Sequence, residues 1–208
     1  MRVVFLAGGI ASGKSTVARL LRERGAWLVD LDQVARDVVA PGSEVLERIA
    51  CEFGDDLVDP VTGELDRHAL AMRAFDSAAD TARLEAIEMP AIKARLSQML
   101  TNTCCAATAP VLAVVEVPLL DRVEDLLPLA DEVLCVVAPL ALRRERAIGR
   151  GMDGADFDRR VERQPSDEYL RAHATHVIDN SGDAEALAAA VDAWLAGECG
   201  EGAGGACV

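Results

Sequence analysis

Residues 1–25 of the chain read MRVVFLAGGIASGKSTVARLLRERG, and the nine in the middle, GGIASGKST at 8–16, decide the fold. Gly8, Gly13, Lys14 and Ser15 satisfy G-x-x-x-x-G-K-[ST], the spacing of a phosphate-cradling loop. The flanks are those the pattern needs. VVFL at 3–6 is a short β-branched and apolar run, read as a buried parallel strand. Val17, Leu20 and Leu21 recur at helical spacing as far as Gly25, a C-terminal stop. A strand that turns through glycines into a helix presents unfilled, partly positive N–H groups to an anion. Lys14 then reaches the outer phosphates and Ser15 offers its hydroxyl to magnesium. A glycine turn without a ligand is the competing reading, and the agreement of pattern and flanks weighs against it.

Lysine usage points the same way. The chain holds two lysines, Lys14 and Lys93, against nineteen arginines, so the one kept between Gly13 and Ser15 marks a place for a compact ammonium rather than a planar guanidinium.

With 208 residues and 51% hydrophobic content, the chain can bury one sizeable core or a core carrying inserted subdomains. It enters a strand at once, without a basic leader, and no window holds eighteen uninterrupted apolar residues; a soluble, cytoplasmic protein without membrane contact is expected. Cys51, Cys104, Cys105, Cys135, Cys199 and Cys207 lack C-x-x-C spacing, which suggests buried or free thiols rather than a zinc site or a disulfide framework. A net charge of −14 argues against a nucleic-acid partner, and a monomer or weak homo-oligomer is expected. The cations are nonetheless concentrated. Arg143, Arg144, Arg146, Arg150, Arg159, Arg160 and Arg163 put seven of the 21 basic residues into one short stretch. That cluster reads as a site for a small polyanion, or as a solvated helix face paired with Glu145, Asp156, Asp158 and Glu162.

Along the chain, AWLVDLD at 26–32 is a second strand that ends in Asp30 and Asp32, where an open parallel sheet faces its ligand crevice. QVARDVV is a short helix stopped at Pro41 and Gly42. SEVLERIACEFG at 43–54 is helical, a loop follows, and helices run from about 66 to 102 with a break near Pro90. Strands return at 110–120 and 132–138, a helix starts after Pro139, HVID at 176–179 is a last strand, and 183–195 a last helix. The expected organisation is an α/β, parallel-sheet P-loop nucleotide-binding core at 1–40, 104–138 and 174–196, a helical insertion at 41–103, an Arg-rich lid at 139–173 and a flexible glycine-rich tail at 197–208.

A phosphate loop by itself says nucleotide, not reaction. No N-K-x-D stretch of the kind that reads guanine is present, and the chain is short for a motor ATPase. A mobile Arg-rich segment late in a compact α/β chain resembles the lid of small-molecule P-loop kinases, whose arginines stabilise the transferring phosphoryl group. Asp32 is then a candidate base for an acceptor hydroxyl. Capping the following helix is the other reading of Asp30 and Asp32. His68, His173 and His176 read as surface or packing histidines.

From the N-terminus to about Gly182 the chain resembles the dephospho-CoA kinase family. The resemblance rests on GGIASGKST, on DLDQVARDVVAPG at 30–42, similar to the family's D-x-D-x-x-A-R-x-V-V-x-P-G, and on LDR at 65–67. VPLL at 117–120, the spacing of Arg146 and Arg150, RVERQ at 160–164 and VIDN at 177–180 continue it in order. It implies transfer of the ATP γ-phosphoryl group to the ribose 3′-hydroxyl of dephospho-CoA, giving CoA and ADP. Gly9, Ile10, Ala11, Ser12, Gly13, Lys14, Ser15 and Thr16 would hold the nucleotide, with Arg146, Arg150 and Asn180, the last in the segment that borders the adenine in the family. Lys14, Asp32 and Arg146 would be catalytic, Asp32, Arg36 and Arg67 would contact the acceptor, and Ser15 and Glu116 would serve Mg2+. The helical insertion corresponds to the family's CoA-binding region.

The chain departs from the family pattern at three places. Met89-Pro90 stands for His-Pro, Glu116 for Asp, and Ala174-Thr175 for Ala-Asp. Glu116 keeps its charge and can order magnesium waters through a longer arm. Met89 cannot hydrogen-bond as histidine does. Another small-molecule or nucleoside monophosphate P-loop kinase, and an ATP-binding protein without phosphotransfer, are the alternative readings.

Overall fold

The computed structural model describes residues 1–197. The tail expected at 197–208 falls, from 198 on, outside the described residues, as do Cys199 and Cys207.

Five strands, β1 (Arg2–Ala7), β2 (Trp27–Asp30), β3 (Leu112–Glu116), β4 (Glu132–Val137) and β5 (His176–Asp179), form one all-parallel sheet in the order β2-β3-β1-β4-β5. The helices are α1 (Lys14–Glu23), α2 (Leu31–Val38), α3 (Glu44–Phe53), α4 (Arg67–Ala74), α5 (Ala78–Cys104), α6 (Leu140–Gly149), α7 (Gly154–Glu162), α8 (Asp167–His173) and α9 (Ala184–Leu195). The chain folds as two compact units: Met1–Asp30 with the described residues from Ala106 onward, and Leu31–Cys105 between them in sequence.

In the first unit β1 is the middle strand, and Val4, Phe5 and Leu6 on it are wholly buried, as a parallel strand covered on both faces requires. Alternate residues go to opposite faces. Val4 and Leu6 join Val114, Leu134, Val136 and Ile178 under Val17 and Leu21 of α1 and Leu187, Val191 and Trp194 of α9. A fully buried leucine such as Leu21 or Leu134 contributes about 2 kcal/mol relative to an exposed one. On the other face α8 packs on β4, where Cys135 Sγ lies 3.4 Å from the Leu170 carbonyl. The carboxyl ends of the five strands therefore share one edge. Ala7, Asp30, Glu116, Val137 and Asp179 stand there.

The second unit is helical. Val39, Ile49, Leu57, Leu70, Ala74, Leu84 and Ile87 form its core, and Ser43, Asp66 and Ser77 cap α3, α4 and α5 through side-chain oxygens.

Two sequence expectations are corrected. The strand at 26–32 ends at Asp30, and Asp32 lies in the first turn of α2. Leu31 and Val34, three apart, are both buried and start the helix there, with Asp32 favourably placed at its positive end. Pro90 does not break the helix: α5 runs for 27 residues through it. Leu84 and Ile87 before the proline and Ile92 and Leu96 after it are buried. Ala86, whose carbonyl loses its partner to the proline ring, is exposed to water. Among the described residues no helix is long and apolar enough to cross a membrane.

Candidate active site

The loop after β1 turns by unusual backbone. Ala11 has φ 59°, the one non-glycine residue with positive φ among those described, and Gly13 has φ 105°. Gly13 occupies the cap position of α1 and offers the first-turn amides no side chain, and that turn carries no acidic residue. The partial positive charge of the helix end is therefore left to an anion. Gly13 is required by space as well: a methyl group there would collide with Asn180 Nδ2. Asn180 is buried just after β5, and its Nδ2 donates to the Ser12 carbonyl at 2.7 Å.

Over the loop lies a cleft of about 540 Å³. Gly9, Ile10, Ala11, Gly13, Lys14, Ser15 and Thr16 line it with Pro118, Leu119, Arg150, Arg160, Arg163 and Gln164. Of the loop residues expected to hold nucleotide, Ser12 alone is turned inward, wholly buried, its Oγ without a hydrogen-bond partner. Lys14 Nζ donates to the Val117 carbonyl at 3.0 Å, which ties the lysine to the segment after β3.

The arginine cluster separates into distinct sets. Arg144 pairs with Asp158, and Arg159 and Arg160 both pair with Asp156, on exposed helix surface. Arg143 is buried against Asp167. Arg146 donates to the Asn180 carbonyl at 3.0 Å and lies outside the lining of the cleft. The guanidinium groups of Arg150 and Arg163 have no ion-pair or hydrogen-bond partner among the described residues, and both residues line the cleft. The exposed pairs are those of a solvated helix face, and Arg160, paired there, also borders the cleft with Arg150 and Arg163.

Two carboxylates stand beside each other at the sheet edge, Asp30 opposite Glu116 in the β2–β3 register. Burial pushes the Glu116 carboxyl above its ordinary value, the Lys14 ammonium opposes this, and the charge of Asp30 adds to it. Among the described residues no group of three or more His, Cys, Asp or Glu could cage a metal. Mg2+ needs no such cage, since it keeps several waters and takes its other ligands from one or two protein oxygens and the nucleotide phosphates. The Ser15 hydroxyl, exposed in the cleft, and the half-buried Glu116 carboxylate are donors of that kind, and they fit the ion.

In the helical unit, Arg36 and Arg67 line a second cleft of about 330 Å³ with Gln33, Asp37, Pro41 and Glu64. Asp32 is exposed on the same helix as Arg36 and is not part of that lining. Glu88 of α5 is pushed up to about 7 by burial; Arg67 opposes the shift and Glu85 adds to it.

Sequence reasoning placed Arg160 and Arg163 in the candidate polyanion cluster without a role of their own, and did not single out Gln164, Pro118 or Leu119 as site residues. Their signal was present in RVERQ and VPLL, segments with charge and order but no chemistry of their own until the fold brings them to the loop. Gln164 Oε1 accepts from the Ile10 amide at 2.7 Å.

The family model for dephospho-CoA kinase matches residues 2–186. The chain belongs to the dephospho-CoA kinase family. It is 44% identical over 197 residues to the dephospho-CoA kinase of Anaeromyxobacter dehalogenans, covering 94% of this chain and 92% of that protein. With that of Corynebacterium diphtheriae it shares 42% over 188 residues, 90% of this chain and 92% of that protein. The crystal structure of a Thermus thermophilus protein superposes with a TM-score of 0.76 at 33% identity, covering 96% of this chain and 98% of that one.

Against the family pattern, the exchange at Thr175 has a structural account. Thr175 Oγ1 accepts from Val133 N at 3.0 Å, and Thr175 N donates to the Val133 carbonyl at 2.9 Å, so the residue begins the β4–β5 pairing. A carboxylate could accept the same bond. Nothing in the structure explains Met89.

Proposed function

We propose that the cleft over the glycine loop holds the phosphates of ATP, and that from there the γ-phosphoryl group passes to the ribose 3′-hydroxyl of dephospho-CoA. Dephospho-CoA kinase activity, the ATP-dependent phosphorylation of dephospho-CoA to CoA, is the function of the family to which the chain belongs. One observation carries the assignment of the cleft: the uncapped start of α1, Lys14, and the two unpaired arginines Arg150 and Arg163 meet in a single cavity.

In this reading the α1 amides and Lys14 hold the β- and γ-phosphates, a point charge serving oxygens whose negative charge shifts during transfer. Asp32 orients the acceptor hydroxyl and takes its proton as the new O–P bond forms and the bond from the γ-phosphorus to the bridging oxygen of ADP breaks. Arg150 and Arg163 neutralise charge on the transferring group. Arg146, whose Nη1 donates to the Asn180 carbonyl, ties the segment after β5 in place. Arg36 and Arg67, two cations in one cleft of the helical unit, hold an anionic part of the acceptor. Ser15 and Glu116 would hold Mg2+, which when bound neutralises phosphate charge. Support comes from the donor set itself, oxygen ligands beside an ammonium.

A coupled ADP-release assay tests this, with dephospho-CoA beside adenosine, AMP and pantetheine phosphate as acceptors. Turnover with dephospho-CoA, lost on chelation of Mg2+, is the expected result. Equal or faster turnover with any other acceptor overturns the substrate assignment, and ATP binding without turnover on the whole panel overturns phosphotransfer.

A further inference from the structure

We infer that Arg143 is a positioning residue for the phosphate loop, one that fixes the Gly9–Ile10 backbone and through it the direction of the anion-binding amides. The inference rests on reading the cleft as the ATP phosphate site. Among the described residues three polar side chains are buried, Ser12, Arg143 and Asn180. Ser12 belongs to the loop and Asn180 grips it. Arg143 is the third, and it grips the loop from α6.

Burying a guanidinium is unfavourable unless its charge is matched, and an apolar side chain would fill the same space without that cost. What the guanidinium touches gives the reason for its presence. Its Nη1 donates to Asp167 Oδ1 at 2.8 Å. A methyl group on Gly9 would lie 2.7 Å from Nη1, 2.8 Å from Cζ and 2.9 Å from Nη2, so the face of the guanidinium lies directly against the Gly9 backbone. Gly9 is a glycine because of this approach; its φ is not in the left-handed region.

Asp167 lies three residues beyond Gln164, whose Oε1 accepts from Ile10 N. Two links thus join the turn QPSD at 164–167 to consecutive loop residues, one from Asp167 through the Arg143 guanidinium packed on Gly9 and one by the hydrogen bond between Gln164 and Ile10. Together they fix the plane of the peptide between Gly9 and Ile10. The remaining loop amides take their direction from that plane. Arg143 does not line the cleft, so its action on nucleotide passes through the loop.

The test uses the full chain with Arg143→Met, which keeps length and removes charge, Arg143→Lys, which keeps charge and removes the plane, Asp167→Asn, and the Met–Asn double variant. ATP dissociation constants are measured by titration calorimetry, with KM for each substrate, kcat and thermal midpoints. Arg143→Met is expected to weaken ATP about tenfold or more, since small misplacements of a binding frame are costly. KM for dephospho-CoA should stay within about twofold, because the loss is specific to the nucleotide. Arg143→Lys should fall between wild type and Arg143→Met. Asp167→Asn should weaken ATP less, and add little in the Arg143→Met background, as residues acting through one contact do.

A packing role alone would lower the thermal midpoint of Arg143→Met and leave its ATP affinity at the wild-type value; that result overturns the inference. If Arg143→Met does not fold, the decision passes to Asp167→Asn, whose partly exposed side chain tolerates exchange and whose unchanged ATP affinity would overturn the inference equally. Failure of the wild-type chain to bind ATP would overturn the reading of the cleft as well, so the two failures are distinct.

Discussion

Asn180 Nδ2 donates to the Ser12 carbonyl at 2.7 Å across 168 residues of sequence, and the same amide nitrogen occupies the space that a side chain at Gly13 would need. The segment after β5 is thereby part of the phosphate loop's frame. Asn180→Ala leaves a buried carbonyl without its donor, a loss of about 1–3 kcal/mol, and should weaken ATP by roughly tenfold if half of that reaches the bound state. Gly13→Ala adds strain at φ 105° on top of the contact with Asn180. It should weaken ATP more than Asn180→Ala does. Calorimetric titration checks the order, and equal, wild-type affinity in both variants would separate Asn180 from the loop.

Arg150 and Arg163 should behave unlike Arg144. Each faces the cleft without a partner, so Arg150→Ala or Arg163→Ala is expected to lower kcat/KM for ATP by about 10- to 100-fold, the scale of a lost charge-stabilising contact. Arg144→Ala removes an exposed pair with Asp158 and should change turnover by less than about twofold, as surface ion pairs contribute little. A kinetic ranking with Arg144 first would contradict the division of the cluster.

The parallel sheet was legible because its evidence is local. VVFL, LVD and VLCVV are short buried runs between breakers, and the glycine spacing ties the first of them to a helix. Asp32 was harder: AWLVDLD alternates like a strand, and only the joint burial of Leu31 and Val34 turns the chain into a helix two residues early. Pro90 misled for a related reason, since its cost depends on whether the Ala86 carbonyl meets water, a tertiary fact. The cleft itself was half legible. GGIASGKST announced its floor, whereas Gln164 and Arg163 reach it through contacts more than 140 residues distant in sequence, which no periodicity records.

Asp32→Asn should lower kcat by about 10²- to 10⁴-fold while ATP affinity stays near wild type, because asparagine keeps the shape but cannot take a proton. Asp30→Asn should do much less, since Asp30 ends β2 beside Glu116 and its exchange relieves like charge there. Steady-state kinetics with nucleotide titration distinguishes the two. Turnover by Asp32→Asn at the wild-type rate would remove Asp32 from the chemistry.

Glu88 should make stability depend on pH. Its folded value of about 7 lies above the ordinary 4.5, so the fold binds the proton more tightly than the unfolded chain does. The contribution of Glu88 to stability is then greatest below about pH 4.5, falls as pH rises toward 7, and levels off above it, a span on the order of 3 kcal/mol. Glu88→Gln should therefore raise the thermal midpoint at pH 8 and leave it unchanged at pH 4. A gain of equal size at both pH values would contradict the burial of this carboxyl as its cause.

The chemistry at the centre of the site is tested most directly by locating the phosphate that it transfers. Purified chain is incubated with Mg-ATP and dephospho-CoA, and the product is examined by mass spectrometry and phosphorus NMR, alongside Lys14→Ala. The expected product is CoA, with one new phosphate on the ribose 3′-hydroxyl and one ADP per CoA, formed at least about 10²-fold more slowly by Lys14→Ala. A phosphate at another hydroxyl, ADP released without CoA, or undiminished product from Lys14→Ala would contradict it.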